Sequence, residues 1–167
     1  MCKLLSVAIT FAIIGLTLNQ AIAAPPATDE MFVTKAAQGG LAEVQMGQLA
    51  EQKGASPEVK QFGKMLADDH TQANQELQQI AQQTNIPLPS QQSSIQQGES
   101  RKLQSLSGAA FDKQFVATQL ESHQKDIPVF KVEAESSTNP ALKAFAQKTL
   151  PTLQKHLRRA EALSKAE

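Results

Sequence analysis

Apolar residues recur every three or four positions along four long stretches of the chain, the spacing of amphipathic helices. No stretch after the N-terminal region alternates apolar and polar residues as a half-buried strand does. The second stretch is the clearest, with the seam Val59, Phe62, Leu66, Ala73, Leu77 and Ile80. Ser56-Pro57 and Asn139-Pro140 each place a capping residue before a proline, which predicts where the second and fourth helices begin.

This order of helices and connections predicts an all-α fold, an up-down four-helix bundle. Two short turns make two helical hairpins, and one longer connection joins the hairpins. The connection is polar over residues 90–99, and a short extra helix is predicted after it, at roughly residues 99–106. Gly47 and Gly63 are nearly equidistant from the first turn, so we expect them to face each other and let the first two helices approach closely.

The N-terminus has the layout of a secretory signal. Lys3 precedes the uncharged apolar stretch Leu4–Leu18, and Ala21-Ile22-Ala23 supplies the small residues that a signal peptidase reads. We expect residues 1–23 to be a signal peptide cleaved near Ala23. The chain is then secreted across the inner membrane, most simply into a bacterial periplasm.

Residues 24–28 are expected to form a linker and residues 29–167 a single domain, large enough to bury a substantial core. Cys2 is the one cysteine, and it precedes the apolar stretch, whereas the cysteine of a lipoprotein would follow it. The mature chain therefore has no disulfide. No later segment is apolar enough to span a membrane.

Charge and composition limit the classes of binding partner that the sequence supports. The formal net charge is zero, no basic stripe runs through the sequence, and there is no Tyr or Trp for base stacking. Nucleic-acid binding is not supported. The partner stays unknown; a protein of the cell envelope and a second copy of this chain are both open.

The chain has three histidines, each on the apolar seam of a different predicted helix: His70, His123 and His156. Glu43 lies near the middle of the first helix. In a bundle these four side chains come to similar heights, one from each helix, and bundle metal sites are built in that way. Histidine is also the commonest metal ligand in proteins.

Asp69 and Asp126 lie close enough to these positions to accept hydrogen bonds from imidazole N–H groups, as ligating histidines usually require, or to be extra ligands. No cofactor is required by the sequence. If the residues do bind one, a divalent transition metal such as zinc is expected.

Pro128 follows His123 by five residues, and Pro151 precedes His156 by five. Because the two helices are antiparallel, both prolines fall on the same side of the histidines. Each removes a helical N–H, so the bends open a cavity below the histidines or merely curve the helices around the core. The two interpretations are equally supported.

Buried histidines also occur as hydrogen-bonded core residues without any metal. A di-iron bundle needs Glu-x-x-His on two helices, whereas the residues three before the histidines are Ala67, Leu120 and Leu153. A ferritin or di-iron oxidase site is therefore disfavoured, and a mononuclear histidine-rich site stays open.

Several short motifs resemble a secreted bacterial family, domain of unknown function 4142. They are Phe32 to Gly40 with Glu43 and Gly47, Ser56 to Lys60, Asp69-His70-Thr71 with Asn74, Ala110-Phe111-Asp112, His123, and Leu150-Pro151 through His156-Leu157. The resemblance covers nearly all of the mature chain. It implies a ferritin-like helical bundle, described as an outer-membrane or periplasmic protein, with histidines at these three positions and no assigned biochemical role.

Three functional hypotheses follow, in descending order of support from the sequence. The first is a non-enzymatic structural, stress-related or interaction protein whose histidines belong to the core. The second is a bundle that binds a metal or small ligand at His70, His123, His156 and Glu43. The third, well below, is an oxidoreductase with a degenerate di-iron-type centre.

Overall fold

The structure is a computed structural model that describes residues 27–166, and these residues form five helices and no strand. The helices are α1 (Ala27–Lys53), α2 (Pro57–Thr84), α3 (Ser94–Gln104), α4 (Gly108–Ser136) and α5 (Pro140–Ser164). The all-α prediction is confirmed. The predicted signal peptide lies outside the described residues, as does most of the linker. No helix within residues 27–166 has the length and apolarity that a membrane crossing requires.

The predicted caps start two of the long helices. The Ser56 hydroxyl accepts a hydrogen bond from the Val59 N–H at 3.2 Å, and Pro57 is the first residue of α2. The Asn139 side chain accepts from two N–H groups at the start of α5, the nearer at 3.0 Å. Both caps satisfy donors that have no partner within the helix.

The crossover helix α3 begins five residues earlier than predicted, at Ser94 rather than near residue 99. The cause is a capping box: the Ser93 hydroxyl accepts from the Gln96 N–H, and Gln96 Oε1 accepts from the Ser93 N–H at 3.0 Å. This pair fixes the first turn of a helix that the polar sequence alone did not indicate. The prediction of residues 99–106 was wrong at its start.

The four long helices pack in two pairs, α1 with α2 and α4 with α5, and contacts of α2 with α5 and of α1 with α4 join the pairs. The buried apolar side chains form two separate clusters. The largest side chains of one cluster are Phe32, Phe130 and Phe145. Those of the other are Phe62, Phe111 and Phe115.

The three histidines lie between these two clusters. On α2, His70 falls between Leu66 of the second cluster and Leu77 of the first. The same order holds on α4 around His123, whereas on α5 the first cluster precedes His156 and the second follows it. The fold therefore places one layer of imidazoles across the middle of an otherwise apolar core.

The predicted close approach of α1 and α2 occurs at the two glycines. A Cβ atom added at Gly47 would lie 2.6 Å from the backbone oxygen of Gly63, and one added at Gly63 would lie 2.6 Å from the backbone oxygen of Gly47. Real Cβ atoms do not approach backbone oxygens so closely. The two backbones are in contact because neither position carries a side chain.

We predict that Gly63→Ala lowers the free energy of unfolding by about 1–3 kcal/mol, because the helices must separate to accept the methyl group. Gly98→Ala in α3 is the matched control. Its Cβ would meet nothing closer than Arg101 at 4.0 Å, so the better helix propensity of alanine should stabilise by up to about 1 kcal/mol. Urea unfolding of both variants measures the contrast, and equal effects at the two positions would contradict it.

Candidate metal centre

The three histidines converge, as their positions in the sequence predicted. One ring nitrogen of each residue lies within 4.8 Å of the corresponding nitrogens of the other two. All three side chains are buried, with His123 and His156 at 1 % and 0 % exposure. The arrangement brings α2, α4 and α5 together at one point.

Hydrogen bonds to oxygen atoms determine which nitrogens carry protons. His123 Nδ1 lies 2.9 Å from the backbone oxygen of Gln119, which can only accept, so Nδ1 carries the proton and Nε2 is left with a lone pair. His156 Nε2 lies 2.8 Å from Asp69 Oδ2. Donation to a carboxylate is the stronger of the two bonds open to His156, so its proton belongs on Nε2 and its lone pair on Nδ1.

These two lone pairs face each other, since His123 Nε2 and His156 Nδ1 are 3.2 Å apart. The other neutral tautomer of His156 only moves the conflict, because Nε2 would then point a lone pair at the Asp69 carboxylate. An additional proton would resolve the conflict. However, burial lowers the pKa of His156, and burial together with His156 lowers the pKa of His123 to about 4. At neutral pH the pair therefore lacks that proton.

The separation fits two ligands of one metal ion. Zinc binds imidazole nitrogen at about 2.0–2.1 Å in tetrahedral geometry, which puts two ligand nitrogens roughly 3.3 Å apart. The observed 3.2 Å between His123 Nε2 and His156 Nδ1 is close to that value. The backbone oxygen of Gln119 and the carboxylate of Asp69 accept hydrogen bonds from His123 and His156. Acceptors of this kind orient the imidazole ligands in metal sites.

His70 completes the group. Its Nε2 atom is buried and has no hydrogen-bond partner among the residues that the structure describes. Burial, and then the neighbouring His123 and His156, keep the pKa of His70 well below its ordinary value. The ring is therefore neutral and has a lone pair to offer.

Glu43, the predicted fourth ligand, is buried on α1 but its carboxylate is not in the three-nitrogen group. Its Oε2 atom lacks a hydrogen-bond partner within residues 27–166. Burial and the nearby Asp126 raise the pKa of Glu43 to about 8, against a smaller opposite effect of the Gln119 side chain. The carboxyl group therefore keeps its proton at neutral pH, and a protonated carboxyl group is a poor metal ligand.

The two predicted acceptor residues differ in position. Asp69 contacts His156, as described above. Asp126 is half-buried and has no hydrogen bond to any of the three imidazoles; instead it lines a cavity beside His70. Burial raises the pKa of Asp126 to about 6, partly offset by Lys125 and Lys35.

The cavity has a volume of about 30 Å³ and lies next to His70. Its walls include Asp126 and Phe130 on α4 and Thr149 and Leu153 on α5. These residues flank the two helix-interior prolines, so the cavity lies on the side of the histidines where the prolines predicted one.

Comparison with known proteins gives a family. The sequence profile of the family described as "Domain of unknown function (DUF4142)" matches residues 17–163. The chain belongs to this family. No curated protein matches the sequence of this chain.

A solved structure has a similar fold, "Crystal structure of DUF305 fragment from Deinococcus radiodurans". It matches with a TM-score of 0.76 over 87 % of this chain and 100 % of that chain, at 12 % sequence identity. At that identity the likeness shows the fold alone.

The sequence did not predict the contact of Gln119 with the His123 ring. Gln119 is fully buried; its backbone oxygen holds the His123 ring, and both side-chain polar atoms lack partners among the described residues. Its position four residues before His123 was the available signal, because the carbonyl at that spacing lies beneath the imidazole on a helix. This spacing concerns only the backbone carbonyl, and the sequence does not indicate that the Gln119 side chain is buried.

Proposed function

We propose that this protein binds a divalent transition metal, such as zinc, through His70, His123 and His156 in a ferritin-like up-down four-helix bundle. The 3.2 Å contact between His123 Nε2 and His156 Nδ1 is the observation that carries the proposal, because the oxygen partners of both rings assign a lone pair to each of these nitrogens. A cation between them turns a repulsive contact into two coordination bonds. The unpartnered Nε2 of His70 supports a third bond from the same layer.

The alternative, a structural or interaction protein with core histidines, explains less. Buried polar groups in folded proteins are nearly always hydrogen-bonded, and an unsatisfied one costs about 1–3 kcal/mol. Here the Nε2 atom of His70 lacks a partner, and the hydrogen bonds of His123 to Gln119 and of His156 to Asp69 leave two acceptor nitrogens in contact. A protein that needed only a packed core would place leucine at these positions at lower free energy.

The donor set narrows the metal class. Three neutral imidazoles without a thiolate suit zinc, copper and nickel, whereas calcium and magnesium prefer oxygen ligands. The carboxylate set of a di-iron centre is missing, so we propose a binding role rather than oxidation chemistry. The signal pattern of residues 1–23 supports a location in the periplasm, where such a protein meets metal ions in the cell envelope.

The test is thermal unfolding of metal-free protein with and without zinc. We expect zinc at about 100 times its Kd to stabilise the native state by about 2.7 kcal/mol, which raises the melting temperature by roughly 5–10 °C. His123→Asn keeps a donor near the position of Nδ1 and removes the ligand atom, so it should abolish the increase. His70→Asn should do the same.

Glu133→Gln is the matched control, because Glu133 is a buried polar residue on the same helix as His123, outside the histidine layer. This variant should keep the full response to zinc. Unchanged melting temperatures of the wild-type protein with zinc, copper and nickel would show that the histidines are core residues only.

The response to zinc should persist at pH 6. Protons compete with a metal only when the imidazoles take them up, and burial holds the pKa of His123 at about 4. We therefore expect the zinc-induced increase to fade between about pH 5 and 4, below the ordinary imidazole pKa of about 6.5. Loss of the increase already at pH 6.5 would indicate exposed histidines with ordinary pKa values.

A further inference from the structure

We infer that a metal ion held by the three histidines keeps a fourth position open toward the cavity beside His70, where it takes water or a small anion of two or three atoms. This inference rests on the proposed function. It adds that the centre is one that exchanges a ligand, whereas a structural zinc site has all four positions filled by protein atoms.

The cavity has a suitable position and size. His70 is the one histidine among its lining residues, so the cavity borders the histidine layer at that ring. A volume of about 30 Å³ exceeds the roughly 10–15 Å³ that one water molecule needs. It does not accommodate a ligand with the size of an amino acid or of a free imidazole.

The lining is polar where a small ligand would need partners. Asp126, Asn74, Thr149 and Lys35 border the cavity together with apolar side chains. Asp126 has a carboxylate that can accept from a metal-bound water, and Lys35 has an ammonium group that can attract an anion. The set has both donors and acceptors, whereas a purely structural void would be apolar.

Two adjacent glycines on α1 form one wall. A Cβ atom on Gly40 would lie 1.9 Å from Asn74 Oδ1, so the missing side chain leaves the space that the Asn74 amide occupies. A Cβ atom on Gly39 would lie 3.8 Å from Asp126 Oδ2, in ordinary contact. The wall therefore holds polar atoms of α2 and α4 close to the cavity without a clash.

Azide binding to the copper(II)-loaded protein tests the inference. Azide is a linear anion of three atoms, and its coordination to copper(II) produces a new charge-transfer absorption band as it displaces the bound water. We expect this band in the wild-type protein. Imidazole binds exposed copper(II) well but is too large for the cavity, so we expect it to leave the spectrum unchanged.

Ala73→Leu is the blocking variant, because Ala73 lines the cavity one turn after His70. The larger side chain should weaken azide binding at least about tenfold while copper itself still binds. Ala117→Leu, the same change on the exposed face of α4, should leave azide binding unaltered. If Ala73→Leu does not fold, Gly39→Ala adds a methyl group to the same wall without a close contact.

The outcomes separate the two proposals. No copper spectrum at all, together with no thermal response to metals, overturns the proposed function. A copper spectrum that azide does not change overturns the open position alone. Equal responses to azide and imidazole, insensitive to Ala73→Leu, would place the exchangeable position at the surface and overturn the inference as well.

Discussion

Replacing Glu43 with glutamine is expected to stabilise the metal-free protein by about 4 kcal/mol more at pH 8 than at pH 4. Glutamine has the shape of a protonated glutamic acid and does not titrate. Burial raises the pKa of Glu43 to about 8 in the folded state, whereas the unfolded chain has the ordinary value of 4.5. Between these values the unfolded state releases the proton and the folded state keeps it.

The sign follows from the proton count. Where the folded state binds more protons, stability falls as pH rises, so Glu43 destabilises the wild-type protein progressively from pH 4.5 to pH 8. The glutamine variant lacks this decline. Urea unfolding in the presence of EDTA, at half-unit steps from pH 4 to pH 8.5, measures the difference between the two proteins.

Glu121→Gln is the control, because Glu121 is exposed and paired with Lys125 on the surface of α4. The difference in unfolding free energy between Glu121→Gln and the wild-type protein should not rise toward pH 8. Parallel pH curves for the wild type and Glu43→Gln would mean that Glu43 ionises normally. In that case its carboxylate would be charged at neutral pH and available to a cation.

The helices and their buried faces could be predicted because one simple pattern reports both. Apolar residues that recur every three or four positions form a seam, and a residue on this seam lies on the inner face of the helix. Leu66 and Leu153, taken from such seams, are 0 % and 2 % exposed. The meeting of the histidines follows from the same rule, since His70 lies four residues after Leu66 and His156 three residues after Leu153, about one helical turn in each case.

Glu43 shows where periodicity becomes too coarse. It predicts that a side chain points inward at a given level, and Glu43 does so. A coordination bond requires the ligand atom to lie about 2 Å from the metal, however. A small rotation or shift of the helix is enough to move a side chain out of that range. The three imidazoles come together within 4.8 Å, but the carboxylate is not in that group.

The start of α3 was ambiguous for a different reason. Ser93 and Ser94 each have a glutamine three residues later, so the capping-box signal occurs in two registers within a polar segment. Only the contact of Ser93 with Gln96 is made. Local signals of this kind compete where no apolar seam selects between them.

Some contacts between residues distant in the chain could not be assigned from the sequence. Asp112 on α4 accepts hydrogen bonds at 2.8 Å from the N–H groups of both Ala55 and Ser56, and so ties the α1–α2 turn to the other hairpin. The family motif Ala110-Phe111-Asp112 includes this aspartate, but the sequence does not indicate its partners. The pairing of Asp69 with His156 could be expected only as one of several possible acceptors.

The histidine layer should make the metal-free protein sensitive to acid. Burial lowers the pKa of His123 from 6.5 to about 4 in the folded state. The unfolded state therefore takes up its proton first as pH falls below 6.5, and stability falls with it until about pH 4. His123 contributes about 3 kcal/mol to this loss of unfolding free energy. His70 and His156 act in the same direction, since burial lowers both pKa values.

The raised pKa values of Glu43 and Asp126 act in the opposite direction over part of this range, so the wild-type curve alone would not isolate the histidines. The Glu43→Gln background removes the larger of these opposing effects. Adding His123→Asn to that background should reduce the loss of stability between pH 7.5 and pH 4.5 by about 2–3 kcal/mol, because asparagine does not titrate. Taking the difference between the two proteins cancels the contribution of Asp126.

Urea unfolding in EDTA at pH 4.5, 5.5, 6.5 and 7.5 measures this difference, and the exposed change Glu121→Gln in the same background should leave the slope unaltered. Equal losses of stability with and without His123 would mean that its pKa is the same in the folded and unfolded states. A larger loss without His123 would mean that the ring is already protonated in the folded protein, because a raised pKa stabilises the folded state as pH falls. The proton would then lie between His123 and His156, and their 3.2 Å contact would be an ordinary hydrogen bond with no need for a metal.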